Sequence, residues 1–563
     1  MPATRLRVGV YGRDWVSFAA LAGYGLLAFL YLGLWLITGS GSRYLGFRSD
    51  PKAFIWCFGW WPHAILNGQN PFVSHALWAP SGVNLLWTAS IPGLALLFAP
   101  LTLLVGPVVS YNVASVLLPA LAAWTAFLLC RYLTHAIWPS LVGGYLFGFS
   151  SYVLAQEGHP NISAVFLVPL LVLVIVRFVE NDLGGRGLML RLGPLFGLEF
   201  LISTEITFTF ALGTLAVVAL GAALVPNRRQ RLGELFKPLF GAALIAAVLT
   251  APFVYYAISG LQSTPFHDQN HYVTDLLNFV VPTKVALSSL VWGKSISSRF
   301  PGNYSEQDGF LGPPALLVVA LFAVRAVRTP SGRLLLAALT LAAICSLGAR
   351  LTIDGHRSIS LPWSLVASWP LFDNVLPARL ALYVTLLTAV IVSSWTAARP
   401  PGPVRWLLPA LAAVILVPKL DSGLWNSRYT IQPFFTASAY RSCLRRDENI
   451  LPLPVGAQGE SMLWQALGGY RFRMAGGNIA PHPPALFLAP YWVELVAEGY
   501  PVPASQTGEL AFYIRAKKVT SVVVDAREAS RWGAALDRIA VPHRLGGVIV
   551  YHISDGSPRC TGG

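Results

Sequence analysis

Apolar residues along this chain fall in long unbroken runs, at 15–36, 85–105, 111–129, 138–154, 162–176, 192–225, 239–258, 311–327, 334–347, 380–397 and 406–417. Runs of this length and apolarity read as membrane helices, and 192–225 is too long for a single crossing. The run 15–36 follows Arg5, Arg7 and Arg13, exceeds a signal-peptide core and lacks a small-residue cleavage site, so it is expected to stay as the first helix. Basic residues gather in the short linkers, at Arg131 and within 186–191, 228–231, 325–333 and 399–405. If all of these face the cytoplasm, one topology satisfies them: 85–105 does not cross and 192–225 crosses twice. Pro92, Gly93 and Pro100 suit the first to a dip or surface segment covered by protein. Ser203, Thr204 and Glu205 mark an outer-face turn in the second, since lipid would not accept the carboxylate. The pattern predicts about eleven transmembrane helices, with the N-terminus inside and the C-terminus outside.

From about residue 421 the hydropathy falls and a soluble pattern begins. Strands are expected at 449–453, 519–524 and 547–551, and helices at 460–467, 509–517 and 527–539. The expected organisation is a polytopic α-helical membrane domain over 1–420, with external loops 39–87, 260–310 and 350–378, followed by an extracytoplasmic α/β domain over 421–563. No GxGxxG or Walker loop appears, and Gly456, Gly459, Gly476 and Gly477 fit turns.

Composition narrows the class. With 55% hydrophobic and 12% charged residues the chain lacks the charge to cover a water-facing surface. The net charge of +15 sits largely in the inter-helix linkers, so it reports membrane topology rather than nucleic-acid binding. Of the five cysteines, Cys130 and Cys345 lie in apolar runs, whereas Cys443 and Cys560 bracket the soluble tail and form a disulfide candidate if that tail is exported.

Polar groups beside membrane spans are expensive, so each is a site candidate. On this topology they collect on the outer face: Asp50 in FRSDPKAFIWCFGWWPHAILNGQNPF (47–72), Glu157 and His159 in QEGHPN, Glu205, and His267, Asp268 and His271 in PFHDQNHY. Glu306 and Asp308 in NYSEQDGFLGPP join them, with Asp373 and Arg379 in WPLFDNVLPARL. His159, followed by Pro160, fits a helix end as well as a substrate contact, and Glu205 fits a buried partner of an arginine or hydroxyl. His267, Asp268 and His271 have ligand types for a divalent metal but equally suit a solvated turn. Arg379 suits either a phosphate or a lipid headgroup. Asp50, flanked by Arg48 and Lys52 where the first helix leaves the membrane, reads as functional.

Taken together, Asp50, the NGQNP with Pro80 and Gly82, the HPN after a short span, the EQDGFLG entering another and the LPARL before a later helix resemble the GT-C superfamily of integral-membrane glycosyltransferases. The likeness is to the actinobacterial and YfhO-like members that use lipid-linked sugars. It implies a multi-pass plasma-membrane enzyme with an extracytoplasmic site, transferring a sugar with inversion from a polyprenyl-phosphate donor to a glycan or glycolipid acceptor. Asp50 would be the general base; Arg379, Arg48, Lys52 and Arg350 would meet the donor phosphate. Glu157, His159, Glu205, Glu306, His267 and Asp268 would line the substrates, and the aromatics of FIWCFGWW would sit at headgroup level and steer the lipid tail. Where relatives carry a DxD or ExD pair in the first loop, this chain has SDP with one acid, so no cofactor is certain and a divalent metal stays open. Two rival readings remain: a catalytically inactive scaffold of the same fold, and a lipid-linked-sugar flippase, which would call for acids at mid-membrane depth and an internal repeat.

Overall fold

The computed structural model describes residues 14–37, 42–47, 49–259, 268–398, 402–420, 423–479, 484–488, 490–554 and 560. Among these, six helices are long and apolar enough to cross a membrane: Trp15–Ile37, Pro107–Thr134, Pro160–Val179, Thr204–Leu224, Pro226–Leu249 and Pro377–Ala398. Shorter apolar helices, Pro313–Ala326, Pro330–Ser346 and Pro403–Ile415, stand beside them. Exposed side chains such as Phe240, Leu244 and Val248 along one helix have no protein cover, as expected of a lipid-facing surface.

The expected break in 192–225 lies at Ser203. Its backbone is extended (φ −147°, ψ 108°) between Gly185–Ile202 and Thr204–Leu224, and its hydroxyl accepts from the Ile206 amide as an N-cap. The run 85–105 folds as the 3₁₀ turn Leu85–Trp87 and the helices Pro92–Leu97 and Ala99–Val105. A seven-residue helix rises only about 10 Å, a third of the hydrocarbon thickness, so neither piece can cross.

The tail builds a five-stranded sheet in the order Pro542–Leu545, Val548–His552, Ser521–Asp525, Glu448–Leu453, Phe472–Met474. Glu448–Leu453 runs parallel to both neighbours, Ile450 facing Ser521, and the last two strands in sequence form an antiparallel hairpin. The three expected strands lie at its centre. The helices Ser461–Leu467, Thr507–Ala516 and Ala529–Leu536 match the expected ones within a few residues. Cys443 and Cys560 are joined by a disulfide, their Cα atoms 4.4 Å apart.

Helix Asp50–Leu66 lies between the membrane helices and the tail. Ser49, Asp50 and Pro51 form a favourable start: an acid in the first turn and a proline where no amide is needed. The helix is buried on every side from Phe54 to Trp61. This corrects the expectation that FIWCFGWW faces lipid headgroups. Trp56 Nε1 donates to Gln465 Oε1 of the tail at 2.6 Å, Trp60 and Trp61 donate to the Pro71 and Ser90 carbonyls, and Tyr470 donates to the Trp56 carbonyl at 2.7 Å. A buried indole needs a partner for its N–H, and the tail supplies one, so protein rather than lipid covers these rings. Strand Arg43–Leu45 pairs antiparallel with Asn426–Arg428, fastening the exit of the first helix to the start of the tail.

Candidate functional site

Asp50 opens helix Asp50–Leu66 with an exposed carboxylate, and its Oδ2 lies 2.9 Å from His159 Nε2. Residues 109 apart in sequence meet here because two glycines let their chains touch. Gly46 (φ +89°) and Gly158 (φ +99°) pack backbone to backbone; a Cβ on Gly46 would stand 2.7 Å from the Gly158 Cα. Only glycine takes that conformation at that spacing without cost. His159 is the residue before helix Pro160–Ser163, and the proline after it keeps its backbone out of the helical region (φ −120°, ψ 71°).

The same turn reaches a second set of charges through Gln156, which sequence reasoning passed over. It is fully buried, and its Nε2 lies 2.8 Å from the Ser305 carbonyl, 3.3 Å from Asp308 Oδ2 and 3.4 Å from Glu306 Oε2. The only signal for it was an amide beside an acid between two spans. Glu306 accepts from Arg379 Nη2 at 2.8 Å and Nε at 3.1 Å, and Arg379 Nη1 donates to Glu205 Oε2. Asp50, His159, Glu205, Glu306 and Arg379 thus belong to one connected region built on the 156–159 turn. Asp308 is buried with Oδ1 unpartnered, and burial followed by the charge of Glu306 holds its carboxyl well above the usual range.

Several expected ligands lie elsewhere. Lys52 is buried and donates to the Gly459 carbonyl at 2.6 Å, with Glu460 at 3.6 Å, so it clips the helix to the tail rather than facing a phosphate. Burial drives its pKa down, and the charge of Glu460 opposes this. Arg379 has its guanidinium occupied by two carboxylates. Arg350 is exposed on the strand Arg350–Ile353. Asp268 accepts from the backbone and side chain of Asn270 and His271 is exposed; Arg48 and His267 lie outside the described residues. Among the described residues no group of three or more His, Cys, Asp and Glu is placed to hold a metal. Glu205 and Glu306, which a cation could bridge, are bridged by Arg379 instead, so these residues do not fit a metal centre.

Glu157 is 3% exposed behind the turn, with Oε1 unpartnered. Burial pushes its carboxyl up to about 8, partly offset by the Ser115 hydroxyl and the Gly158 amide. Between the ordinary carboxylate range and that value the folded protein holds a proton the unfolded chain has lost, so stability falls as pH rises through the window. The melting midpoint in detergent is expected to drop from pH 5 to pH 8 in the wild type and to change less in Glu157→Gln.

No curated protein matches the sequence. Among solved structures, the archaeal oligosaccharyltransferase AglB from Archaeoglobus fulgidus, in complex with an inhibitory peptide and a dolichol-phosphate, superposes with TM-score 0.51 at 13% identity, covering 97% of this chain and 75% of that one. The arabinofuranosyltransferase AftD from Mycobacteria superposes with TM-score 0.56 at 14% identity, covering 97% of this chain but only 42% of the larger protein. Likeness at this identity concerns the fold, which is that of the GT-C membrane glycosyltransferases with a C-terminal sheet-containing region. The profile described as "Domain of unknown function (DUF6311)" matches residues 20–421, and the chain belongs to that family.

Proposed function

We propose that this protein is a membrane glycosyltransferase that moves a sugar from a polyprenyl-phosphate-linked donor to a hydroxyl of an extracytoplasmic glycan or glycolipid, with Asp50 as general base. The observation that carries this reading is the contact between the first-loop carboxylate and His159 at 2.9 Å, on the turn that also engages Glu306 and, through it, Arg379. The sidedness follows from the basic linkers, and the boundary near residue 420 separates the membrane part from the tail.

In this scheme the acceptor hydroxyl gives its proton to Asp50 as its oxygen bonds to the anomeric carbon. The bond from that carbon to the phosphate oxygen breaks, the polyprenyl phosphate departs with the electron pair, and the configuration inverts. A phosphate is a good leaving group, so the proton on the acceptor is the chemical obstacle. His159, in the tautomer protonated at Nε2, donates to Asp50 and fixes its rotamer. Arg48, two residues before Asp50, is the proposed cation for the donor phosphate. Arg379 is a positioning residue: with Glu205 and Glu306 it holds the loop against which Gln156 and the His159 turn are set.

The test is to incubate the purified protein with synthetic polyprenyl-phosphoryl sugars and a membrane-envelope glycan extract and to follow release of polyprenyl phosphate. Release that depends on the acceptor is expected. Absence of release from every donor would overturn the reading.

A further inference from the structure

Some 20 Å along helix Asp50–Leu66 from Asp50, by thirteen residues of helical rise, the last turn faces the tail across two adjoining hollows. They measure about 420 and about 220 Å³ and share Gln69, Asp447 and Tyr470. Asn70 and His75 of the first loop line one wall; Arg446, Arg471 and Arg473 of the tail line the other. The guanidinium groups of these three arginines have no carboxylate or hydrogen-bond partner among the described residues, and Arg471 Nε is buried and unpartnered. Asp447 is the one acid among the lining residues.

The floor is aromatic. Tyr470 lies 5.5 Å from Trp60 and 4.7 Å from His63 between ring centroids. Burial, and then the charge of Arg446, hold His63 below its usual range, so it offers a neutral hydrogen-bonding edge rather than another cation. Asp447 (φ +61°) and Tyr470 (φ +54°) both hold left-handed backbone, and the Asp447 amide donates to the Arg471 carbonyl at 2.7 Å, which sets the rim.

We propose that this cleft binds an anionic saccharide, the carboxylate- or phosphate-bearing stretch of the acceptor whose distal hydroxyl is presented to Asp50. The proposal rests on the glycosyltransferase reading and specifies its acceptor. Unpartnered guanidinium groups in a walled cleft match carboxylate and phosphate in fork geometry. The exposed side-chain amide of Gln69 suits sugar hydroxyls. Walls of external loop and tail, with no long apolar strip, favour a saccharide over a phospholipid.

The experiment measures binding by the full-length detergent-purified protein, separately from any transfer. The probes are tetragalacturonate, a neutral maltotetraose and vesicles containing phosphatidylglycerol. Tetragalacturonate is expected to bind at least tenfold more tightly than maltotetraose and to weaken with salt. Arg446→Gln with Arg473→Gln, both exposed positions, should weaken it tenfold or more. Asp447→Asn, which tolerates the same backbone, should tighten it several-fold. Equal binding of the two oligosaccharides, or indifference to the arginine pair, overturns the proposal while leaving the transfer reaction untouched. Arginine-dependent binding of the vesicles without binding of tetragalacturonate overturns it in favour of a lipid headgroup.

Discussion

Replacing Asp50 with Asn is expected to lower acceptor-dependent release of polyprenyl phosphate by about 10² to 10⁴, the usual contribution of a positioned general base. The substitution is nearly isosteric. The amide oxygen of Asn still accepts from His159 Nε2, the helix still starts at Ser49, and the residue is exposed, so the fold should survive. What is lost is the capacity to take a proton. The measurement is turnover at saturating donor and acceptor, with monodispersity in detergent as the fold control. His159→Ala should cause a smaller loss, because it frees the Asp50 rotamer without removing the base. Wild-type turnover in Asp50→Asn would dismiss this residue as the base.

Replacing Arg379 with Met is expected to be the most damaging single change to stability. The arginine lies between Glu205 and Glu306, with side-chain exposures of 21%, 20% and 5%. Removing it leaves two facing carboxylates without their cation, at a cost of about 3 kcal/mol, the lower end for a buried pair because Arg379 and Glu205 retain some solvent. A falling melting midpoint and loss of the monodisperse peak are expected. Converting the two acids to Gln in the same background removes the stranded charge and should restore most of the midpoint. If the triple variant melts no higher than Arg379→Met, the damage comes from lost packing and not from the charges.

Much of the architecture was readable from one-dimensional pattern. Positive linkers and apolar run lengths ask for a turn in 192–225 near Ser203, Thr204 and Glu205 and for an interrupted 85–105, and the helices break at Ser203 and at Phe98. The tail strands were readable because each is a short apolar run between turn residues. Arg379 and Lys52 read as candidate phosphate ligands for a common reason: a cation beside a membrane suits a phosphate until its partners are known. Lys52 finds the Gly459 carbonyl and Glu460, separated from it by some 400 residues of chain. Gln156 carried no charge to draw attention, yet it joins the turn of His159 to the loop of Glu306.

By itself, then, the sequence determined a polytopic membrane chain with a sheet-containing tail and singled out the ionisable groups beside its apolar runs, because hydrophobic run length, turn residues and the cost of acids in lipid act locally. Only the tertiary structure decided which of those groups meet. The approach of Gly46 to Gly158, the sharing of Arg379 by two acids and the sealing of the tryptophan helix under the tail depend on contacts between segments far apart in the chain, and side-chain partnership at such distances leaves no periodicity to read.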